Sequence, residues 1–168
     1  MEVHDAGAFL AYWERVRGRT LRVWACVPED RVEWRPGSGR FSFGDVLRHL
    51  AGMERHLYVE VARGRPPAYP GHGEALASGH AGVLAYADRL HREAVALLAP
   101  MTPEELRRRV PGPAGGTMTA WTLLRAMVEH EAHHRGQVYL MLGLLGVPTP
   151  PVFGMTSEEV IAASALPR

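Results

Sequence analysis

Apolar positions recur with a helical period along almost the whole chain. From Asp5 to Val27, the positions Phe9, Trp13, Val16, Thr20, Val23 and Val27 are spaced by threes and fours, which draws one stripe down one helix face. Pro28 ends that helix. Ser42 opens a second one with Asp45 three residues on as a capping box, and its buried face is Phe43, Val46, Leu47, Leu50, Met53 and Leu57 before the pattern fades near Val61. Residues 62–79 are rich in Pro and Gly and carry no period, so they form a long connection. A third helix is predicted from about His80 to Ala99, and Thr102-Pro103-Glu104-Glu105 reads as a short extra turn. A Pro/Gly-rich loop over 111–117 precedes the longest helix, about Thr119 to Leu145, which Gly146 and Pro148 stop. Thr156 and Glu159 open a short C-terminal helix.

Four long amphipathic helices around one core make an all-α four-helix bundle with short extra helices. No strand is predicted. The connection at 62–79 can reach roughly 60 Å when extended, about twice the length of a 20-residue helix. It can carry the chain from one end of the bundle back to the other, so helices two and three can run parallel, which a simple up-down-up-down bundle forbids.

A chain of 168 residues suits a single domain over 1–168. Its net charge of +1, from 19 basic and 18 acidic residues, argues against a nucleic-acid partner, which needs a basic excess. Cys26 is the only cysteine and can form no internal disulfide. Glu2, Asp5, Glu14 and several arginines near the start fit neither a signal peptide nor a membrane span. These features together read as a cytoplasmic protein with no membrane partner. Histidine departs from this ordinary composition: there are nine, three of them within Glu129–Arg135.

On a helical wheel, Leu123, Leu124, Met127, Val138, Met141, Leu142 and Leu145 define the buried arc of the last long helix. His134 falls inside that arc, His130 lies at its margin one turn earlier, and His133 faces solvent. Imidazoles at i and i+4 have the spacing that chelates one metal ion. A third ligand has to come from another helix, and the candidates rank His49, then His91, then His56. Three neutral imidazoles leave coordination positions open, the mark of a catalytic rather than a structural site. Among divalent ions, Zn and Ni are the first choices for such a donor set, with Cu and Fe also compatible.

The run His130-Glu131-Ala132-His133-His134 also fits the H-E-x-x-H pattern of zinc peptidases, in which the glutamate is the general base. Against that reading, no second helix offers a third ligand at the peptidase spacing and no sheet edge is predicted to hold a peptide. The longer segment EHEAHHRGQVYLMLGLLG resembles the last core helix of the DinB/YfiT-like family, where His, three spacers, His and then Arg-Gly-Gln precede a hydrophobic helix end. The upstream WRPGSGRFSFGDVLRHLAGMERHL is similar to that family's other signature, a capped helix with a His-Leu pair. The likeness covers nearly the whole chain. It implies a four-helix bundle in down-up-up-down order, a homodimer, and a divalent metal held by His49, His130 and His134.

The resemblance further implies a metal-dependent enzyme, with a transferase that activates a small thiol such as bacillithiol or mycothiol as the leading reading. A small-molecule substrate is then expected, with Arg40, Arg48 or Arg135 to meet its carboxylates. The alternatives are a metal-dependent hydrolase using Glu131 or Glu54 as base, and a non-catalytic metal-binding or stress-related protein. Arg135 is expected to pair with Glu131 one turn away and Gly136 to admit a neighbouring helix, while Gln137 reads equally as a solvated flank residue or as support for a ligand. Cys26, Trp13, Trp24 and Trp121 read as core residues, Trp34 as a cover for the bundle end or a wall of the site mouth, and His72 and His80 as solvent-exposed.

Overall fold

A computed structural model of the chain describes residues 2–113 and 115–164. Helix α1 spans Ala6–Trp24, with the Asp5 side chain accepting from the Ala8 N–H at 2.6 Å as its N-cap. It stops a turn before the Val27 end of the apolar stripe. Helix α2, Phe43–Met53, starts from the Ser42/Asp45 capping box and passes through a π-helical turn, Glu54–Tyr58, into α3, Val59–Ala62. Helix α4 is Gly79–Leu98, and α5 is the short Pro103–Arg107 with a Thr102/Glu105 capping box. The longest helix, α6, is Ala120–Leu144 with Thr119 as N-cap, and α7 is Ser157–Ser164.

One feature departs from the all-helical reading. Strands β1 (Arg109–Pro111) and β2 (Thr117–Thr119) pair antiparallel, with Val110 opposite Met118, and make a small hairpin where a loop is predicted. Three-residue strands flanked by Pro and Gly carry no alternation to read, and Val110 is the single buried position in them.

Direction follows from which halves of the helices share a core. One apolar cluster joins Phe9, Trp13 and Val16 of α1 to Val59 and Ala62 of α3, Ala94 and Leu98 of α4, and Leu123 to Val128 of α6. The other joins Val23 and Trp24 to Val46 and Leu50 of α2, Val83 and Leu90 of α4, and Val138 to Leu142 of α6. Helices α1 and α6 therefore run from the first cluster to the second, while α2 and α4 run the opposite way and parallel to each other. This is the down-up-up-down order, and the connection after α3 carries the chain back along the bundle. Between the clusters lies a polar waist of buried side chains: Arg17, Thr20, Glu54, His91, Glu131 and His134. No helix among the described residues is long and apolar enough to cross a membrane.

The long connection is fastened by Arg48, whose side chain is wholly buried. Its guanidinium meets Glu33 at 2.7 Å and Asp45 at 2.8 Å, while Nε donates to the His72 carbonyl at 2.7 Å and Nη1 to the Ala77 carbonyl at 2.9 Å. Arg48 is thus committed to the framework and, contrary to the expectation from sequence, is not available to a substrate carboxylate. Hydrogen bonding to Arg48 holds Glu33 below the usual carboxylate range. Burial pushes Asp45 up, but the Ser42 N–H and Arg48 outweigh it and leave it lowered. Because removing Arg48 strands the buried Asp45 carboxylate and the half-buried Glu33 carboxylate together, Arg48→Ala should cost about 3–5 kcal/mol in denaturant unfolding, and a loss below about 1 kcal/mol would contradict this. The carboxylate contribution is fully present above the unfolded carboxylate range near pH ~4 and is lost as pH falls through the lowered folded values.

Candidate metal centre

Two capped helices bring three imidazoles to one point at the waist. His49 comes from the second turn of α2, and His130 and His134 from successive turns of α6. Nε2 of His130 lies 3.2 Å from Nε2 of His49 and 3.1 Å from Nε2 of His134. One ligand atom from each of the three lies within 4.8 Å of the others, so the group could hold a metal ion. His49 and His130 are half-buried and His134 is buried.

The far sides of the rings decide what the near sides offer. His134 Nδ1 is 2.8 Å from Gln137 Oε1, an atom that only accepts, so Nδ1 carries the proton and Nε2 presents its lone pair. His49 Nδ1 is 2.7 Å from Tyr69 Oη, which in turn lies 3.2 Å from His72 Nδ1. His130 Nδ1 is buried with no hydrogen-bond partner among the described residues. A single proton on His130 Nε2 could serve only one of its two neighbours. Two imidazole nitrogens bound to one Zn at about 2.0–2.1 Å stand roughly 3.0–3.4 Å apart, which the observed spacings match. A cation satisfies all three nitrogens where protons cannot.

Electrostatics favour the same state. Burial, followed by the neighbouring His134, His130 and His72, lowers His49 to about 3. Burial, then His134 and His133, lowers His130 to about 4. Burial also lowers His134, against an opposing contribution from Gln137. All three are neutral at pH 7, the form a metal ligand needs.

Residues from the long connection and the segment before α2 enclose the cluster. The Phe41 ring sits 4.2 Å from His72, 5.4 Å from His49, and stacks at 6.4 Å on His134. Tyr69 reaches α2 because position 52 is glycine: a Cβ there would stand 3.2 Å from the Tyr69 ring. His72 is therefore half-buried against Phe41 rather than in solvent. His80 is half-buried too and stacks on Trp24 at 6.3 Å. Tyr69 escapes sequence reasoning because a tyrosine in an aperiodic Pro/Gly-rich run has no signal of its own.

Other candidates go elsewhere. His91 is buried beside Trp13, 2.6 Å from Glu14, and His56 is half-buried in the π-helical turn; neither belongs to the cluster. His133 is exposed. Glu131 is 2% exposed and accepts from the Trp13 indole N–H at 3.0 Å. Glu54 is buried beside it, raised well above the usual range by burial and then by the Glu131 charge. Burial raises Glu131 as well, against Thr20, Arg17 and Trp13. Arg135 donates to the Val16 carbonyl and Thr20 instead of forming the expected ion pair with Glu131. Gly136 is exposed, with no atom within 4 Å of where a Cβ would be, so no helix approaches it closely. Arg40 is exposed, Trp34 packs on Phe43, and Cys26 is half-buried with its thiol toward the Arg22 carbonyl.

In the metal-free protein, the His49 and His130 ring-proton resonances should stay unchanged from about pH 7 to pH 5.5, followed by NMR against an unfolded reference titrating near ~6.5. A midpoint near the unfolded value for either ring would contradict the buried, neutral cluster.

Comparison with known proteins fits this geometry. The family model of the DinB superfamily matches residues 12–138. No curated protein matches the chain. Among solved structures, a DinB-like protein (YjoA) from Bacillus subtilis superposes with a TM-score of 0.66 at 19% identity, covering 86% of this chain and 96% of that one. A DinB-like protein from Bacillus cereus gives 0.67 at 17% identity, over 85% and 94%. YfiT from Bacillus subtilis, described as a probable metal-dependent hydrolase with an unusual four-helix bundle topology, gives 0.66 at 18% identity, over 85% and 89%. With its bundle order and family match, the chain belongs to the DinB superfamily.

Proposed function

We propose that His49, His130 and His134 bind one divalent cation, Zn or Ni, through Nε2, and that the chain is a metal-dependent enzyme activating a small thiol for transfer to a small-molecule acceptor. The observation that carries this reading is the convergence of three Nε2 atoms at 3.1 and 3.2 Å while two of the Nδ1 atoms are engaged by Gln137 and Tyr69. A divalent ion held by three imidazoles keeps positions open and lowers the pKa of a thiol or water that joins it.

The residues around the cluster favour a thiol over water. Activating water is helped by a carboxylate base within reach. The two candidates, Glu131 and Glu54, are buried in the bundle core, where Glu131 is engaged by Trp13. In this reading Glu131 holds α6 in register instead of taking a proton from substrate. A thiol is acidic enough to be used without such a base. Phe41, Tyr69 and His72 wall the cluster with aromatic surface and a hydroxyl. Hydrolysis is the second reading, favoured by the description of YfiT as a probable metal-dependent hydrolase. A homodimer belongs to the same proposal, with Leu140 and Leu144, 66% and 62% exposed one turn apart on α6, at the contact.

Protein purified without a histidine tag should carry one divalent ion per chain by elemental analysis, and His49→Ala, His130→Ala and His134→Ala should each lose it. Tyr69→Phe should keep the fold and weaken binding about 10- to 100-fold, because His49 loses the partner that orients it. No metal in the wild type after supply of Zn or Ni would overturn the site. With metal bound, an electrophile screen should show turnover that requires added thiol, whereas ester cleavage without thiol would select the hydrolase reading.

A further inference from the structure

A cavity of about 820 Å³ opens at the hairpin end of the bundle. Its floor is apolar, formed by Leu57, Val61, Val110 and Leu123, and four arginines, Arg63, Arg65, Arg108 and Arg109, line it. No Asp or Glu is among the lining residues. Leu123 precedes His130 by seven residues, about 10 Å along a helix axis, so the cavity is set apart from the histidine cluster.

The four cations are not equivalent. Glu105 neutralises Arg63 at 3.0 Å, and Glu60 pairs with Arg65. Arg108 and Arg109 meet no carboxylate among the described residues. Arg108 instead donates to the Ala62 carbonyl at 2.9 Å, and Arg109 donates to the Thr117 carbonyl and hydroxyl at 2.5–3.2 Å. Neutral acceptors restrain a guanidinium without cancelling its charge. Gly64, at φ +77°, leaves room for Arg108 to lie against the chain, since a Cβ there would stand 3.0 Å from Arg108 Nη2.

Two fixed, uncancelled guanidinium groups beside an apolar cavity fit one class of ligand. The volume lies within the range of small-molecule sites, roughly 300–1,000 Å³, and guanidinium groups recognise carboxylates through paired N–H donors. We infer that this cavity binds a small organic acid, its apolar body on Leu57, Val61, Val110 and Leu123 and its carboxylate on Arg108 and Arg109. The inference is independent of the metal reading.

Decanoate is a suitable probe, followed by calorimetry on the full chain, with decanol and inorganic phosphate as neutral and bare-anion controls. Saturable decanoate binding is expected, at least about tenfold tighter than decanol or phosphate. Arg108→Gln with Arg109→Gln should weaken decanoate about tenfold or more and leave decanol unchanged. Arg63→Gln, whose charge Glu105 already cancels, should change affinity less than about twofold. His130→Ala should bind decanoate as the wild type does, which separates this site from the metal centre. Both surface variants should retain the wild-type circular dichroism spectrum. No binding up to about 1 mM, equal affinity for decanol or phosphate, or unchanged affinity in the double variant would overturn the inference.

Discussion

The structure turns on a polar layer buried across the middle of a bundle that is apolar on either side of it. Arg17, Thr20, Glu54, His91, Glu131 and His134 all lie buried between two hydrophobic clusters. Polar groups withdrawn from water destabilise a core unless their partners come with them. Here the partners come from different helices: Trp13 of α1 donates to Glu131 of α6, Arg17 of α1 donates to the Ala87 carbonyl of α4, and His91 of α4 meets Glu14 of α1. Sliding α6 by one turn would take the buried Glu131 away from the Trp13 indole N–H. The same lock that sets the register of α6 against α1 points His130 and His134 at His49. Neutral imidazoles at the waist are a product of the same burial.

A second lock closes the site from outside. Arg48, one residue before His49, binds two carboxylates on one side and two carbonyls of the long connection on the other. The connection that the parallel α2 and α4 require is thereby pinned over the cluster, where it supplies Tyr69 and His72. Topology and site are one solution: a bundle with two parallel neighbours needs a long return, and the return becomes the site's wall. The π-helical turn Glu54–Tyr58 lies in the same region, with Glu54 in the waist and the Tyr58 ring 5.7 Å from that of His130.

Sequence pattern made the framework legible where local signals were strong. Asp5, Ser42, Thr102 and Thr119 each cap the helix whose start they mark, because capping is chemistry among near neighbours. His130 and His134 were readable from their i, i+4 spacing, whereas the wheel alone left His49, His91 and His56 in contention as the third partner. That choice depends on how α2 and α4 rotate against α6, a long-range fact that no single helix records. The surroundings of Arg48, Arg135 and Gly136 are illegible in sequence for the same reason, since each is set by elements distant in the chain. The hairpin leaves no mark in sequence because its strands are too short to alternate. Tyr69 was missed because loops carry no period.

X-ray absorption on the Zn- or Ni-loaded protein, recorded beside Tyr69→Phe, would report the coordination shell directly. Three imidazole nitrogens at about 2.0–2.1 Å, with at least one further light ligand exchangeable for a small thiol's sulfur, is the predicted result. A shell with fewer than three imidazoles, or one closed to the thiol, would contradict the account.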